Sequence, residues 1–271
     1  IELVQGGAAG GVSASGLGSD FVFDSDSAAT IDDIGFSGIN SFAGGEGADR
    51  FSTNSGLTIT VDAGAGEDVV VGTTDHDVLQ LTGNTKELLL SGATFQNIET
   101  AEGASLVGSA GDDTFVLADQ EHVIADEIDF DINSVDGGAG DDSVVANASG
   151  SVFVMSSDST ATVDNKAFSG METFAGAAGD DHFSLTGVMS NTIDAGDGAD
   201  TLVGSTVELT GDSKTLISSG GRFSNIEIAE SSILMGSAGD DNFLLLADAN
   251  VSVQDMLITT DSVTGNLGDD S

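Results

Sequence analysis

Two segments of this chain, GGEGADRFS (44–52) and GGAGDDSVV (137–145), share the pattern Gly-Gly-x-Gly-x-Asp-x-apolar-x. Close variants follow at SGLGSDFVF from Ser15, AGAGEDVVV from Ala63, GSAGDDTFV from Gly108, GAAGDDHFS from Gly176, AGDGADTLV from Ala195, GSAGDDNFL from Gly236 and GNLGDDS from Gly265. Glycine permits positive φ and close backbone approach, so the first six residues can turn tightly with carbonyls pointing inward. The aspartate adds a hard carboxylate oxygen beside those carbonyls, a donor set suited to calcium. One turn supplies half a site, and a second turn stacked on it would complete the shell. The candidate ligands are Gly45, Gly47 and Asp49; Gly64, Gly66 and Asp68; Gly138, Gly140 and Asp142; Gly196, Gly198 and Asp200; and Asp20, Asp113, Asp181, Asp241 and Asp270.

The competing reading of each turn is a plain one, in which aspartate caps its own backbone and glycine supplies positive φ. Doubled acids weigh against it: Glu67-Asp68, Asp112-Asp113, Asp141-Asp142, Asp180-Asp181, Asp240-Asp241 and Asp269-Asp270. Stacking such turns aligns like charges a few Å apart, which destabilises a ladder unless a cation lies between them.

The elements that must position these turns are short strands. Apolar runs such as LTITV (57–61), VVV (69–71), VLQL (78–81), ELLL (87–90) and TFVL (114–117) recur about every ten residues between Gly, Asp, Asn and Ser. Each is too short for a helix and long enough for a strand. From Asp49 the motif aspartates are spaced 19, 45, 29, 39, 19, 41 and 29 residues apart, a series that repeats after four steps. A long internal repeat of 132 residues therefore shortens to 128, and the loss of four falls between VGTTDHDVLQLTGN (71–84) and VGSTVELTGD (203–212). FSGIN at Phe36 and FSGME at Phe168, then FQNIE at Phe95 and FSNIE at Phe223, give the same two offsets. Repetition of this kind predicts an all-β solenoid. Two-faced coils of about nineteen residues fit the spacing, and a three-faced coil of about thirty remains open. Right-handedness follows from the general rule for parallel crossovers. On the two-faced count Asp49 and Asp68 lie on one edge in adjacent coils, as do Asp181 and Asp200. These pairs are the strongest candidates for complete sites.

The nonapeptides resemble those of the RTX calcium-binding β-roll family, GGxGxDxUx with U a large apolar residue. The resemblance implies a parallel β-roll, calcium held between turns, and export to the cell surface or beyond. The sequence is expected to form one continuous solenoid over 1–271, with long repeats at 36–167 and 168–271 and residues 1–35 ending a preceding one. It reads as a window of a longer repetitive protein.

Composition narrows the function further. Against 46 acidic residues stand 5 Lys and Arg, for a formal charge of -41. Such a surface repels nucleic acid and anionic lipid, both of which need basic clusters. Cysteine is absent, excluding disulfides and thiolate metal sites. The three histidines have no ligand spacing, and no serine sits in a nucleophile elbow. Parallel β-helices also serve as polysaccharide-modifying enzymes and their accessory modules, but acidic sugars require a cationic cleft and commonly a Tyr, and this chain has no Tyr. The expected function is therefore non-catalytic: a calcium-stabilised structural repeat of a bacterial surface filament, surface layer or adhesin, located outside the cell. Its expected partners are copies of itself, adjacent repeats or a surface glycan, without nucleic acid or membrane insertion. In the Phe-x-x-Ile/Met-Glu elements, Phe and Ile/Met are expected to fill the interior and Glu99, Glu172 and Glu227 to have no special role. Phe115, Phe183 and Phe243 are expected in the core.

Overall fold

The computed structural model describes residues 3–5, 10–14, 16–54, 56–72, 77–118, 122–246 and 249–271. Its regular structure consists of short strands, and no helix occurs among the described residues. The expected fold class is met: strands of successive coils pair in parallel and build a β-solenoid. Two compact units are present, Ile1–Thr114 with Glu121–Gly140, and Phe115–Gln120 with Asp141–Ser271.

In the first unit, Ser41–Gly45 lies parallel between Gly11–Ser13 and Thr60–Gly64, while Arg50–Thr53 lies parallel between Asp20–Ser25 and Val69–Val71. Alternate side chains point inward along Asp20–Ser25, Ser41–Gly45 and Thr60–Gly64, following the two-residue period of a strand. One buried row runs Phe21, Phe51, Val70, Ala101, Phe130 through successive paired strands. Ring centroids of Phe21 and Phe51 are 4.9 Å apart and nearly parallel, and Phe51 meets Phe95 at 5.9 Å. The second unit repeats the device with Phe153 stacked on Phe183 at 4.6 Å and Phe223 edge-on at 6.0 Å. Phe95, Ile98, Phe168, Met171, Phe223 and Ile226 are all buried, as expected of their elements. Phe115 and Phe183 are buried too, whereas Phe243 is only half-buried and Phe36 likewise.

The even coil of nineteen residues does not hold. Nineteen separates Arg50 from its partner Val69, and His182 from Thr201. Other coils are near thirty, as between Asp20 and Arg50 or Val69 and Thr100, and several of these carry an antiparallel meander. Asp20–Ser25, Ala28–Ile31 and Ile34–Ser37 form one meander, and Val78–Leu81, Glu87–Leu90 and Ala93–Gln96 another. In the second unit Val152–Ser157, Thr160–Val163 and Lys166–Ser169 do the same. The second hairpin of each closes on two residues with positive φ: Asp32 and Asp33 at 48° and 66°, Asp164 and Asn165 at 47° and 70°, Ser91 and Gly92 at 51° and 88°. Two left-handed residues define the turn whose twist matches paired strands, and Asp, Asn and Gly adopt it most readily.

The missing four residues are accounted for. Thr201–Leu209 is one strand, where the first repeat has separate strands Val69–Val71 and Val78–Leu81. His76, within that segment, lies outside the described residues.

Candidate metal site at the glycine-aspartate turns

Parallel stacking sets the last residue of one turn over the last residue of the next. Backbone amides there need acceptors, and the motif aspartates provide them. The Ser19 amide donates to Asp49 Oδ1 at 2.7 Å, the Asp49 amide to Asp68 Oδ1 at 2.8 Å, and the Asp68 amide to Glu99 Oε2 at 2.9 Å. The Lys86 ammonium closes the row on Glu99 Oε1 at 2.8 Å. The second unit repeats it bond for bond: Ser151 to Asp181 at 2.7 Å, Asp181 to Asp200 at 2.8 Å, Asp200 to Glu227 at 2.9 Å, and Lys214 to Glu227 at 2.6 Å. Asp49 and Asp181 are each 1% exposed, and Asp68 and Asp200 are 0% exposed. Both sequence-derived pairs are therefore brought together as stacked neighbours.

Glu99, Glu172 and Glu227 do have a role, contrary to expectation. Glu172 accepts the Asp142 amide at 2.7 Å, so all three end an aspartate row where the following coil lacks a glycine turn. The chain reaches Glu99 and Glu227 through Asn97 and Asn225, both at φ 60°, and these asparagines bind Asp62 and Asp194 at 2.7 Å. The extra carbon of Glu lets a non-glycine bend reach the same amide. For Glu99 and Glu227 the sequence signal was the Glu following Asn-Ile, with Lys thirteen residues earlier.

One carboxylate oxygen makes the ladder, and the other separates the turns into two kinds. Asp49 Oδ2, Asp68 Oδ2 and Asp200 Oδ2 are buried without a hydrogen-bond partner. In these turns the second position is glycine. Gly64 and Gly196, at φ 101° and 96°, direct their amides to Asp62 and Asp194, away from the motif aspartate, and Gly138 turns likewise to Asp136. Where that position is serine or alanine, its amide binds the motif aspartate. Ser109 donates to Asp113 Oδ2 at 2.7 Å, Ser237 to Asp241 Oδ2 at 2.7 Å, and Ala177 to Asp181 Oδ2 at 3.2 Å. Those three turns follow the plain reading, in which aspartate caps its own backbone.

Three more candidates are placed by their contacts. Asp20 is exposed and pairs in register with Arg50, one residue beyond the ladder, so Ser19 occupies the position that its motif assigns to Asp20. The single-residue slip removes Asp20 from the candidate set. Asp270 is half-buried and accepts the Asp241 amide at 3.1 Å. Asp142 is 1% exposed, its amide bound to Glu172.

The first glycine of the motif serves close approach. A Cβ on Gly44 would lie 1.9 Å from the Ala63 carbonyl oxygen and 2.5 Å from Asp49 Oδ2. Gly176 meets Ala195 in the same way, at 1.7 Å. Alanine stands in this position at 63 and 195, where the next row is a Glu bend, so the substitution there has a local cause. Gly44→Ala is expected to cost about 1–3 kcal/mol by forcing the two coils apart, read as a lower urea midpoint in calcium.

Burial holds the carboxyls of Asp49, Asp68, Asp181 and Asp200 above the usual aspartate range. For Asp68 burial acts first, and the neighbouring Asp49, Glu99 and Glu67 carboxylates add to it against the Asp49 amide bond, bringing it from 3.8 to about 6. Asp200 reaches about 6 for the same reasons, with Asp181, Glu227 and Asp180 as its acidic neighbours. Asp49 and Asp181 are also raised, mainly by burial. A buried carboxylate with an unfilled oxygen and acidic neighbours requires a proton or a cation.

Calcium fits this donor set. Its preferred ligands are carboxylate and carbonyl oxygens, and the buried, partnerless Oδ2 atoms of Asp49, Asp68 and Asp200 offer the carboxylate part of that shell. Among the described residues no three acidic or histidine side chains are placed to hold a metal ion by themselves, so the shell would be completed by backbone carbonyls. Bound at these turns, ions would supply positive charge between stacked carboxylates, with Asp49 and Asp68 as ligands in the first unit and Asp200 in the second, each oriented by the ladder amides.

The RTX calcium-binding nonapeptide repeat matches in four copies, at residues 34–56, 60–80, 130–149 and 187–206. Each copy contains a turn with glycine in the second position, at 44–49, 63–68, 137–142 and 195–200. The self-capped turns at 108–113, 176–181 and 236–241 fall outside. No match was found among curated proteins or among solved structures. The chain thus carries four copies of the RTX calcium-binding nonapeptide repeat, set as turns of a β-solenoid.

Proposed function

We propose that this protein is an extracellular structural repeat whose solenoid is locked by calcium and which extends a bacterial surface filament, surface layer or adhesin stalk, without catalysis of its own. The observation that carries the reading is the set of buried, partnerless oxygens on Asp49, Asp68 and Asp200 within repeat turns. Ions there neutralise the acidic rows, coils stack, and a chain of charge -41 becomes a stiff scaffold. Calcium at the concentrations that weak sites need is found outside cells, and a scaffold without cysteine needs no disulfide for export. The basic groups support a non-catalytic role: Lys86, Lys214 and Arg222 are held by Glu99, Glu227 and Asp212 within 2.8 Å. A scaffold of this kind meets copies of itself or neighbouring repeats.

Light scattering of the chain in calcium and in chelator tests the assembly role. Growth beyond a monomer in calcium, reversed by chelator, is expected for a filament or layer element. A monomer at every calcium concentration would leave the stalk reading and remove self-assembly.

A further inference from the structure

We infer that the residue in the second position of each turn decides whether that turn takes a cation, so that calcium loads only some of the motif aspartates. The inference rests on the calcium reading above and adds which turns are sites and what selects them.

The two long repeats supply the comparison. The turns at 44–49 and 176–181 occupy equivalent ladder positions, each with its aspartate taking the amide of a serine thirty residues earlier. They differ at the second residue, Gly45 against Ala177. Gly45 has φ 146°, outside the range that L side chains readily adopt, and Asp49 Oδ2 is left partnerless. Ala177 has no positive φ, and its amide turns inward onto Asp181 Oδ2. The two aspartates are equally buried, at 1% exposure, so burial does not distinguish them. Asp181 already has a donor on each oxygen, whereas Asp49 has one on a single oxygen and an open lone-pair site on the other.

A donor N–H and a cation compete for the same carboxylate oxygen. Glycine at the second position turns its amide outward and leaves that oxygen to a cation; serine or alanine delivers the amide and replaces the ion. Ser109 and Ser237 add their hydroxyls, at 3.2 Å from Asp113 Oδ1 and 3.0 Å from Asp241 Oδ2, and close those turns further. Asp200, beneath Gly196, is open like Asp49 and Asp68. Within the second unit the Asp181–Asp200 pair is therefore asymmetric: Asp200 is a ligand and Asp181 a hydrogen-bonded spacer.

The test is calcium titration by isothermal calorimetry on the full 271-residue chain and on Ala177→Gly, Ser237→Gly and Gly196→Ser. Ala177→Gly and Ser237→Gly are each expected to bind one more calcium per chain than the parent, and Gly196→Ser one fewer. Circular dichroism confirms that strands persist in calcium, and two gain variants in different turns guard against one misfolding. A parent that binds calcium while both gain variants bind no more overturns this inference alone. A parent that binds no calcium overturns the calcium reading and this inference together.

Discussion

Stripped of calcium, the protein should melt at a higher temperature at pH 4.5 than at pH 7.5, and saturating calcium should reverse that order. Asp68 and Asp200 carry the effect. Their folded values near 6 exceed the 3.8 of an unperturbed aspartate, so between these limits the folded chain binds more protons than the unfolded one. Stability then falls as pH rises from about 4 to about 6 and stays low above. For each fully buried group the rise corresponds to on the order of 3 kcal/mol. Calcium acts with the opposite sign, because it binds the ionised form: its stabilisation is largest above pH 6 and fades as protons displace it. Relief of general acidic repulsion at low pH works in the same direction as protonation, so the double variant Asp68→Asn, Asp200→Asn separates them. Neutral at every pH, it should be more stable than the parent in chelator at pH 7.5, with a flatter pH profile and a smaller calcium response. A chelated parent whose melting is the same at both pH values would contradict the assignment of buried charge to these two residues.

Phe183→Ala should cost about 3–5 kcal/mol, as large as any single core truncation in the chain. Phe183 is 0% exposed, stacked on Phe153 at 4.6 Å and touched edge-on by Phe223 at 6.0 Å. Its strand His182–Leu185 begins directly after Asp181. Removing the ring takes packing from three coils at once and loosens the strand that fixes the turn. The urea midpoint is expected to drop in calcium and in chelator alike, since the loss is of packing and not of ligation. Phe183→Leu, which retains most of the apolar volume, should recover more than half of it. A loss confined to calcium conditions would mean that the ring acts through the metal turns instead.

The strand character, the internal repeat and the stacking of Asp49 on Asp68 and Asp181 on Asp200 were legible in the sequence because each depends on local chemistry. Glycine before aspartate marks a tight turn, and Phe two residues beyond it finds the interior at Phe51, Phe115 and Phe183. What was not legible depends on register. Asp20 satisfies the motif by spacing, yet a one-residue offset in the coil places Ser19 in the ladder, and only the pairing of Asp20 with Arg50 reveals it. The meanders left signals that parallel-strand reasoning passed over: Asp32-Asp33, Ser91-Gly92 and Asp164-Asn165 are hairpin dipeptides between apolar runs. Glu99 and Glu227 looked unremarkable for a related reason, since their partners Asp68 and Asp200 are one coil away, at separations of 31 and 27 residues. The difference between Gly45 and Ala177 was visible as letters, but its consequence lies in the direction of one amide.

The most direct measurement is a crystal structure of the chain grown with terbium in place of calcium, with anomalous scattering used to locate the ions. Anomalous peaks in contact with Oδ2 of Asp49, Asp68 and Asp200, and none at Asp113, Asp181 and Asp241, are the predicted result. Ordered strands with no peak at the first three aspartates would contradict the claim that cations hold these stacked acidic turns together.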